Sequence, residues 1–417
     1  MTKQTRGGIP PPKTKNRLIT REEAERFLPR QYADRMDSYF PKGGVTCGEE
    51  HLQYVLGVAY PILREYRDVV VGQSGPSMYT LLGDFAIGDR DLDHSGPGHV
   101  HFVGLPGTGK SLLGKVPEKV VGASFKRIQG TIDLLPADII GTNILQVNEK
   151  RERYFKFIHG PIFSEKLLFD EISRVSARSL SSVLQVMSEG AVTAYGVTHP
   201  NNPHIIATSN PDESAGVQKM PDALEDRFMF EVHAEPFTEE QFAELQVRAE
   251  AFDKRKFEPV ADYSYVIKAR LFFGESVHVS DEITDFIGAL AVALNRIDHG
   301  GLLARLRLRL QFSDDESIVR SDRMILSGRG ILHLRGAARS LAAMRYRNYV
   351  TLDDVRKVLR EVIRHRTHCT SHALNAHDMV RGELIEKFGR SGKTAMEGYL
   401  LREIIDIAWN SVEISGR

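Results

Sequence analysis

Residues 104–111 read Gly104-Leu105-Pro106-Gly107-Thr108-Gly109-Lys110-Ser111, the G-x-x-x-x-G-K-[ST] pattern of a loop that holds a phosphate chain. Its glycines let the backbone wind closely, so successive N–H groups point at phosphate oxygens. A helix opening at Ser111 and Leu112 adds its positive end. Lys110 is placed to reach the β- and γ-phosphates, and the Ser111 hydroxyl to take Mg²⁺. Sixty residues after Lys110 the apolar run Leu167-Leu168-Phe169 ends in Asp170-Glu171. There Asp170 would hold Mg²⁺, directly or through water, and Glu171 would orient and deprotonate an attacking water. Asn210, in Ser209-Asn210-Pro211, is a turn former by type; at the end of a strand it could instead hydrogen-bond the γ-phosphate or the water. Arg227, in Leu224-Glu225-Asp226-Arg227-Phe228, reads two ways. It is a surface partner of Asp226 or Glu225, or an arginine offered to a neighbouring molecule's transition state.

Those residues need a scaffold that gathers them at one end. From 99 to about 235, strand patterns alternate with helical ones: 100–103, 124–129, 166–169, 205–208 and 228–232. Such alternation predicts an α/β fold, a five-stranded parallel sheet with helices on both faces, in which ligands sit at the carboxyl ends of the strands. Before it, 48–67 and 78–87 read as helices. After it, Glu239–Lys254 reads as a helix and 255–275 as a linker. Ile283, Phe286, Ile287, Leu290, Leu294 and Ile297 repeat at helical spacing behind Ser280-Asp281-Glu282. Two more helices fall at 331–345 and 352–366, with Thr351 and Asp354 as a capping box, and one at 398–412 carries Trp409. Pro117 should shorten the helix behind the phosphate loop.

The implied organisation is a basic flexible extension over 1–45, with Pro10-Pro11-Pro12 inside it, and a nucleotide-binding α/β core over 46–240. A linker over 241–275 leads to an α-helical lid over 276–370 and a helical tail over 371–417. The 417 residues carry 55 Lys+Arg and 55 Asp+Glu, so net charge makes no general case for nucleic acid or an anionic membrane. Two cysteines, Cys47 and Cys369, cannot build a disulfide framework and read as reduced thiols of a cytoplasmic protein. No apolar run approaches the ~20 residues of a membrane span, so no membrane insertion is expected.

With these stretches in place, the sequence resembles the AAA+ ATPases and, within them, the MoxR family. The matching stretches are Val70-Val71-Gly72-Gln73, the phosphate loop, Asp133-Leu134-Leu135-Pro136, Gly160-Pro161-Ile162-Phe163, Asp170-Glu171-Ile172-Ser173-Arg174, Leu184–Gly190 and Ala223–Phe228. The resemblance implies an Mg²⁺-dependent ATPase with ATP as its nucleotide. Val71 and Gly72 would line the adenine pocket. Lys110 and Ser111 belong to Walker A, Asp170 and Glu171 to Walker B. Asn210 would be sensor 1 and Arg227 the arginine finger. Arg329, in Ser327-Gly328-Arg329-Gly330, would be sensor 2, acting on its own nucleotide or a neighbour's. It further implies a homo-oligomeric, hexameric ring that remodels a protein client, often one with a von Willebrand A domain. In such proteins a hairpin like 142–160 lies near the central pore; a second hairpin, with Thr193, Tyr195 and Val197, precedes sensor 1.

One stretch stands apart. Leu306, Leu308 and Leu310 alternate with Arg305, Arg307 and Arg309, which predicts a strand-like insert near 302–316 with one basic face. Acids at 314–316 would neutralise it; otherwise it could face phosphate backbone. With the basic amino-terminal stretch, that edge motivates an alternative reading, a nucleic-acid motor or loader. A scaffold that binds ATP without hydrolysing it is a third.

Overall fold

The computed structural model describes residues 17–19, 45–88, 96–105, 107–110, 116, 120–210, 220–234, 236–254, 259, 261–297, 303–310, 312, 317–320, 324–376 and 393–415. Its strands are β1 (Arg17–Ile19), β2 (Val45–Cys47), β3 (Val100–Val103), β4 (Phe125–Gln129), β5 (Gly141–Val147), β6 (Arg153–His159), β7 (Lys166–Asp170), β8 (Ala191–Ala194), β9 (Val197–Pro200), β10 (His204–Ser209) and β11 (Phe230–His233). Five of them form one sheet in the order β11-β3-β10-β7-β4, every neighbouring pair parallel. The expected doubly covered α/β sheet is present.

Side-chain alternation along these strands builds two apolar layers. Val100, Phe102, Leu168, Ile206 and Phe230 face one side, packed with Leu81, Leu82 and Phe85 of the helix Ser74–Phe85. Ile128, Leu167, Phe169, Ile205 and Ala207 face the other, packed with Leu180, Val183 and Val186 of the helix Ala177–Glu189. Strands buried on both faces read as near-continuous apolar runs, as Leu167-Leu168-Phe169 does. A charged group locks the first layer to the sheet. Asp84 Oδ1 accepts from Lys166 Nζ at 2.5 Å and His204 Nδ1 at 2.7 Å, all buried. Burial alone would raise the Asp84 carboxyl; the Lys166 ammonium and the His204 ring outweigh it and hold it well below the carboxylate range.

Helices Asp281–Asn295, Gly328–Met344, Leu352–Ile363 and Lys393–Ser415 form the lid and tail. They share the apolar cluster of the first sheet face. The Thr351–Asp354 capping box forms. In the tail helix Trp409 packs 4.7 Å from Phe286, with the Arg356 guanidinium 4.8 Å over its ring. Both expected hairpins are present, as β5–β6 and β8–β9. They touch through Thr142 and Tyr195 (3.2 Å) and through Phe157 stacked on His199 at 4.9 Å. Phe155 and Tyr195 are largely exposed.

Three expectations need correction. The strand-like segment near 302–316 contains instead the helix Ala304–Arg309. Leu303, Leu306 and Leu310 are buried at helical spacing, and Arg307 is buried with them, so the Leu/Arg alternation does not form the expected strand. Most of the expected linker at 255–275 is the helix Tyr263–Ser276, capped by Asp262 and buried through Tyr263, Val266, Ala269 and Phe273. Within the flexible extension predicted for 1–45, Arg17–Ile19 pairs antiparallel with Val45–Cys47; the rest of that prediction, like the one for Pro117, lies outside the described residues.

Candidate nucleotide site

The phosphate loop leaves β3 at its carboxyl end. Gly107 and Gly109 have φ of 81° and 83°, a left-handed backbone that side chains disfavour. Lys110 donates to the carbonyls of Gly104 and, at 2.7 Å, Leu105, so its ammonium lies over the loop. Thr108 Oγ1 donates to Leu105 O at 2.8 Å. The Gly104 N–H donates to Ser209 O at 3.2 Å, which ties the loop to the end of β10, one residue before Asn210. Pro106, Ser111 and Leu112 lie outside the described residues.

Asp170 ends β7 and is buried. Its Oδ1 accepts from Thr208 Oγ1 at 2.5 Å and its Oδ2 from the Arg127 guanidinium at 2.7 Å. Glu171 follows with φ 56° and ψ 47°, left-handed in a residue that is not glycine. Such backbone is held by its surroundings and clusters at functional sites. Here the holder is Thr208: its Oγ1 accepts the Glu171 N–H at 3.0 Å. One hydroxyl thus fixes both acidic residues. The Glu171 carboxylate itself lies 3.1 Å from Arg174 Nε with both side chains 37% exposed, an ion pair too solvated to immobilise it.

Val71 is buried. Gly72 (φ 71°) turns the chain against Phe237: a methyl group there would come 3.1 Å from Phe237 Cδ1, and one at Gly109 4.0 Å from Phe237 Cζ. Phe237 therefore joins the turn at 71–72 to the phosphate loop. These groups converge at the carboxyl edge of the sheet, as the topology requires.

The two remaining arginines do not join them. Arg227 lines a small cleft with His99, Asn202, Ser188 and His333, where β3 and β10 begin. It donates to Ser188 Oγ and Ala223 O, both at 2.5 Å. A four-residue strand spans ~13 Å at ~3.3 Å per residue, so Arg227 faces away from its own phosphate loop. Arg329 donates to Asp226 Oδ2 at 3.1 Å, which places it beside Arg227. Asp226 Oδ1 also accepts from Ser327 Oγ (2.8 Å) and Arg366 Nε (2.9 Å).

Sequence reasoning missed Arg127, Thr208, Phe237 and Arg366. Each acts through partners 37–165 positions away in the chain. Thr208 alone carried a signal, a polar residue closing an apolar strand beside the acidic pair. Among the described residues no group of three or more His, Cys, Asp or Glu could hold a metal ion. Among the described residues Asp170 offers a buried carboxylate at that edge, which fits Mg²⁺, an ion bound by one or two carboxylates and substrate phosphates rather than by an all-protein cage. No helix among the described residues is long and apolar enough to cross a membrane.

Comparison with known proteins agrees with this geometry. The ATPase family associated with various cellular activities (AAA) matches residues 99–230, and the AAA lid domain matches residues 323–386. The chain is 33% identical to Chaperone MoxR1 of Mycobacterium tuberculosis over 279 residues, 66% of this chain and 69% of that protein. It is 28% identical to Protein MoxR of Paracoccus denitrificans over 288 residues, 64% and 79% of the two chains. A crystal structure from Cytophaga hutchinsonii, provisionally described as an ATPase, superposes with a TM-score of 0.64 at 26% identity, covering 84% of this chain and 96% of that one. With its loop, acidic pair and lid in this arrangement, the chain belongs to the MoxR family of AAA+ ATPases.

Proposed function

We propose that the protein is an Mg²⁺-dependent ATPase whose active site is completed by a second copy of itself in a ring, a hexamer by family resemblance. The observation that carries this is the split of the candidate machinery between two edges of one sheet. Lys110, Asp170, Glu171 and Asn210 stand at the carboxyl edge; Arg227 and Arg329 stand together at the amino edge. A guanidinium that neutralises transition-state charge must lie against the γ-phosphate, and from the amino edge neither arginine can do so in its own chain. Both therefore serve a neighbour's nucleotide. Val71, Gly72 and the loop over Gly104–Leu112 hold ATP. Asp170, with Ser111, would hold Mg²⁺, which supplies charge neutralisation on the phosphates; Glu171 takes the proton of the attacking water, and Asn210 orients that water or the γ-phosphate.

Nucleotide turnover would then move the lid and work on a protein client, in the manner of a chaperone. The name of the M. tuberculosis relative and the exposed aromatics of the paired hairpins support that reading. A von Willebrand A domain protein is the client class to test first. The nucleic-acid alternative loses the strand with one basic face, since Ala304–Arg309 is a helix and Arg307 is buried.

Mixing two inactive variants tests the proposal. Glu171→Gln should bind ATP without hydrolysing it, and Arg227→Ala should lose hydrolysis. Mixed, they should regain phosphate release, because the Glu171→Gln chain supplies Arg227 to the intact acidic pair of the other. Mixtures as inactive as their parts, under conditions where co-assembly is shown, reject the shared site.

A further inference from the structure

A second cavity lies between core and lid, away from the nucleotide site. Its volume is about 130 Å³, and it is lined by Phe85, Ile87, Phe273 and Leu332, by the backbone at Gly274 and Gly336, and by Arg335 and Arg339. The helix Ser74–Phe85 begins beside the turn at 71–72 and ends at this cavity. Its 12 residues separate the two places by ~18 Å at ~1.5 Å per residue.

The walls are fixed by close packing. A methyl group at Gly336 would fall 2.3 Å from Ile87 O, and one at Gly274 would fall 1.9 Å from Ile87 Cδ1. Phe85 and Phe273 are almost fully buried. To this open cleft, half polar and half apolar in its lining, the helix Gly328–Met344 brings two arginines one turn apart. Arg335 is half-buried, and among the described residues no group hydrogen-bonds or ion-pairs with its guanidinium. A half-buried charge without a partner favours an anion beside it. A guanidinium fork matches the two oxygens of a carboxylate or phosphate. The chamber is smaller than the ~300 Å³ at the lower end of drug-sized pockets, so it admits an oxyanion with a short apolar body.

We propose that this core–lid cavity is a binding site for a small oxyanion, a carboxylate or a phosphate, gripped by Arg335 with Arg339 on the same wall and its apolar portion against Phe85, Ile87 and Phe273. A bound anion bridges the helices at 74–85 and 263–276 to the lid helix at 328–344, and so favours the arrangement in which they are closed on one another.

Calorimetric titration of the Lys110→Ala protein, whose phosphate loop is disabled, tests this with three probes: inorganic phosphate, acetate and butyrate. One of them should bind saturably at one site per chain and raise the melting temperature. Binding should weaken about tenfold or more in Lys110→Ala/Arg335→Ala and less in Lys110→Ala/Arg335→Lys, whose ammonium keeps the charge but not the fork. Phosphate alone assigns a phosphate ligand; butyrate ahead of acetate assigns a carboxylate with an apolar body. Arg335→Gln, which keeps most of the side chain, takes the place of Arg335→Ala if the latter does not fold. No saturable binding of any probe at millimolar concentration, or binding indifferent to Arg335, overturns the proposal.

Discussion

Thr208→Val separates positioning from binding. The replacement keeps the shape of a side chain that is 1% exposed and removes only its hydroxyl. Two hydrogen bonds go with it, the 2.5 Å bond to Asp170 Oδ1 and the 3.0 Å bond from the Glu171 N–H. A hydrogen bond to a charged group contributes about 1.5–3 kcal/mol. The second bond holds Glu171 at φ 56°, a conformation that costs about 1–3 kcal/mol and relaxes once its restraint is gone. A loss of 1.5–3 kcal/mol in the transition state is roughly a 10- to 100-fold fall in kcat at ~1.4 kcal/mol per decade. ATP affinity should change little, since Lys110 and the loop are untouched. The assay is phosphate release at saturating ATP and Mg²⁺, beside a fluorescent-nucleotide titration and a melting curve; Thr208→Ser should keep most of the activity. A folded Thr208→Val protein that turns over at the parent rate would refute the claim that this hydroxyl positions the acidic pair.

Other outcomes follow from the same geometry. Arg127→Ala removes the guanidinium competing for Asp170. That pair is half exposed on the arginine side and contributes ~1 kcal/mol, so the Mg²⁺ needed for half-maximal hydrolysis should fall about fivefold; an unchanged or higher requirement counts against Asp170 as the Mg²⁺ group. Burial holds His51, His99, His204, His333 and His365 below the ordinary histidine range, so unfolding takes up protons below about pH 6.5. Stability should therefore be full above that pH and fall as pH drops from 7 to 5, by up to ~1.4 kcal/mol per unit for each group; melting temperatures flat over that range would contradict it. Burial also pushes the Cys47 thiol up to about 12, so at pH 8 a thiol reagent should label only Cys369 in the native protein and both cysteines in denaturant. Rapid native labelling of Cys47 would show that its pocket opens.

The parts legible from sequence were those whose signal is local. A phosphate loop needs its residues in one run, and Leu167–Glu171 writes both its burial and its acidic end into five consecutive letters. The hairpins show their two-residue period, and Thr351 with Asp354 spells its cap. Where the reading failed, two periods competed. In 302–312, Leu306, Leu308 and Leu310 fit a strand, while Leu303, Leu306 and Leu310 fit a helix; packing selected the second. In 255–275 the cap at Asp262 was present, but aromatic and charged residues obscured the buried stripe Tyr263, Val266, Ala269, Phe273. Arg127 and Arg366 were illegible for another reason: their partners Asp170 and Asp226 become neighbours only when the sheet and lid are assembled.

Asp226 is where that assembly acquires a mechanical meaning. Its carboxylate is grasped by Ser327 and Arg329 at the start of one lid helix and by Arg366 at the end of another, while the next residue, Arg227, is bonded to Ser188 and Ala223. Arg366 also clasps the carbonyls of Asp226 and Phe228 at 2.7 and 3.0 Å. The turn that bears Arg227 is thus geared to the lid like a pawl to its wheel. A lid that swings with these bonds intact must drag the arginine along; one that breaks them lets the turn go slack.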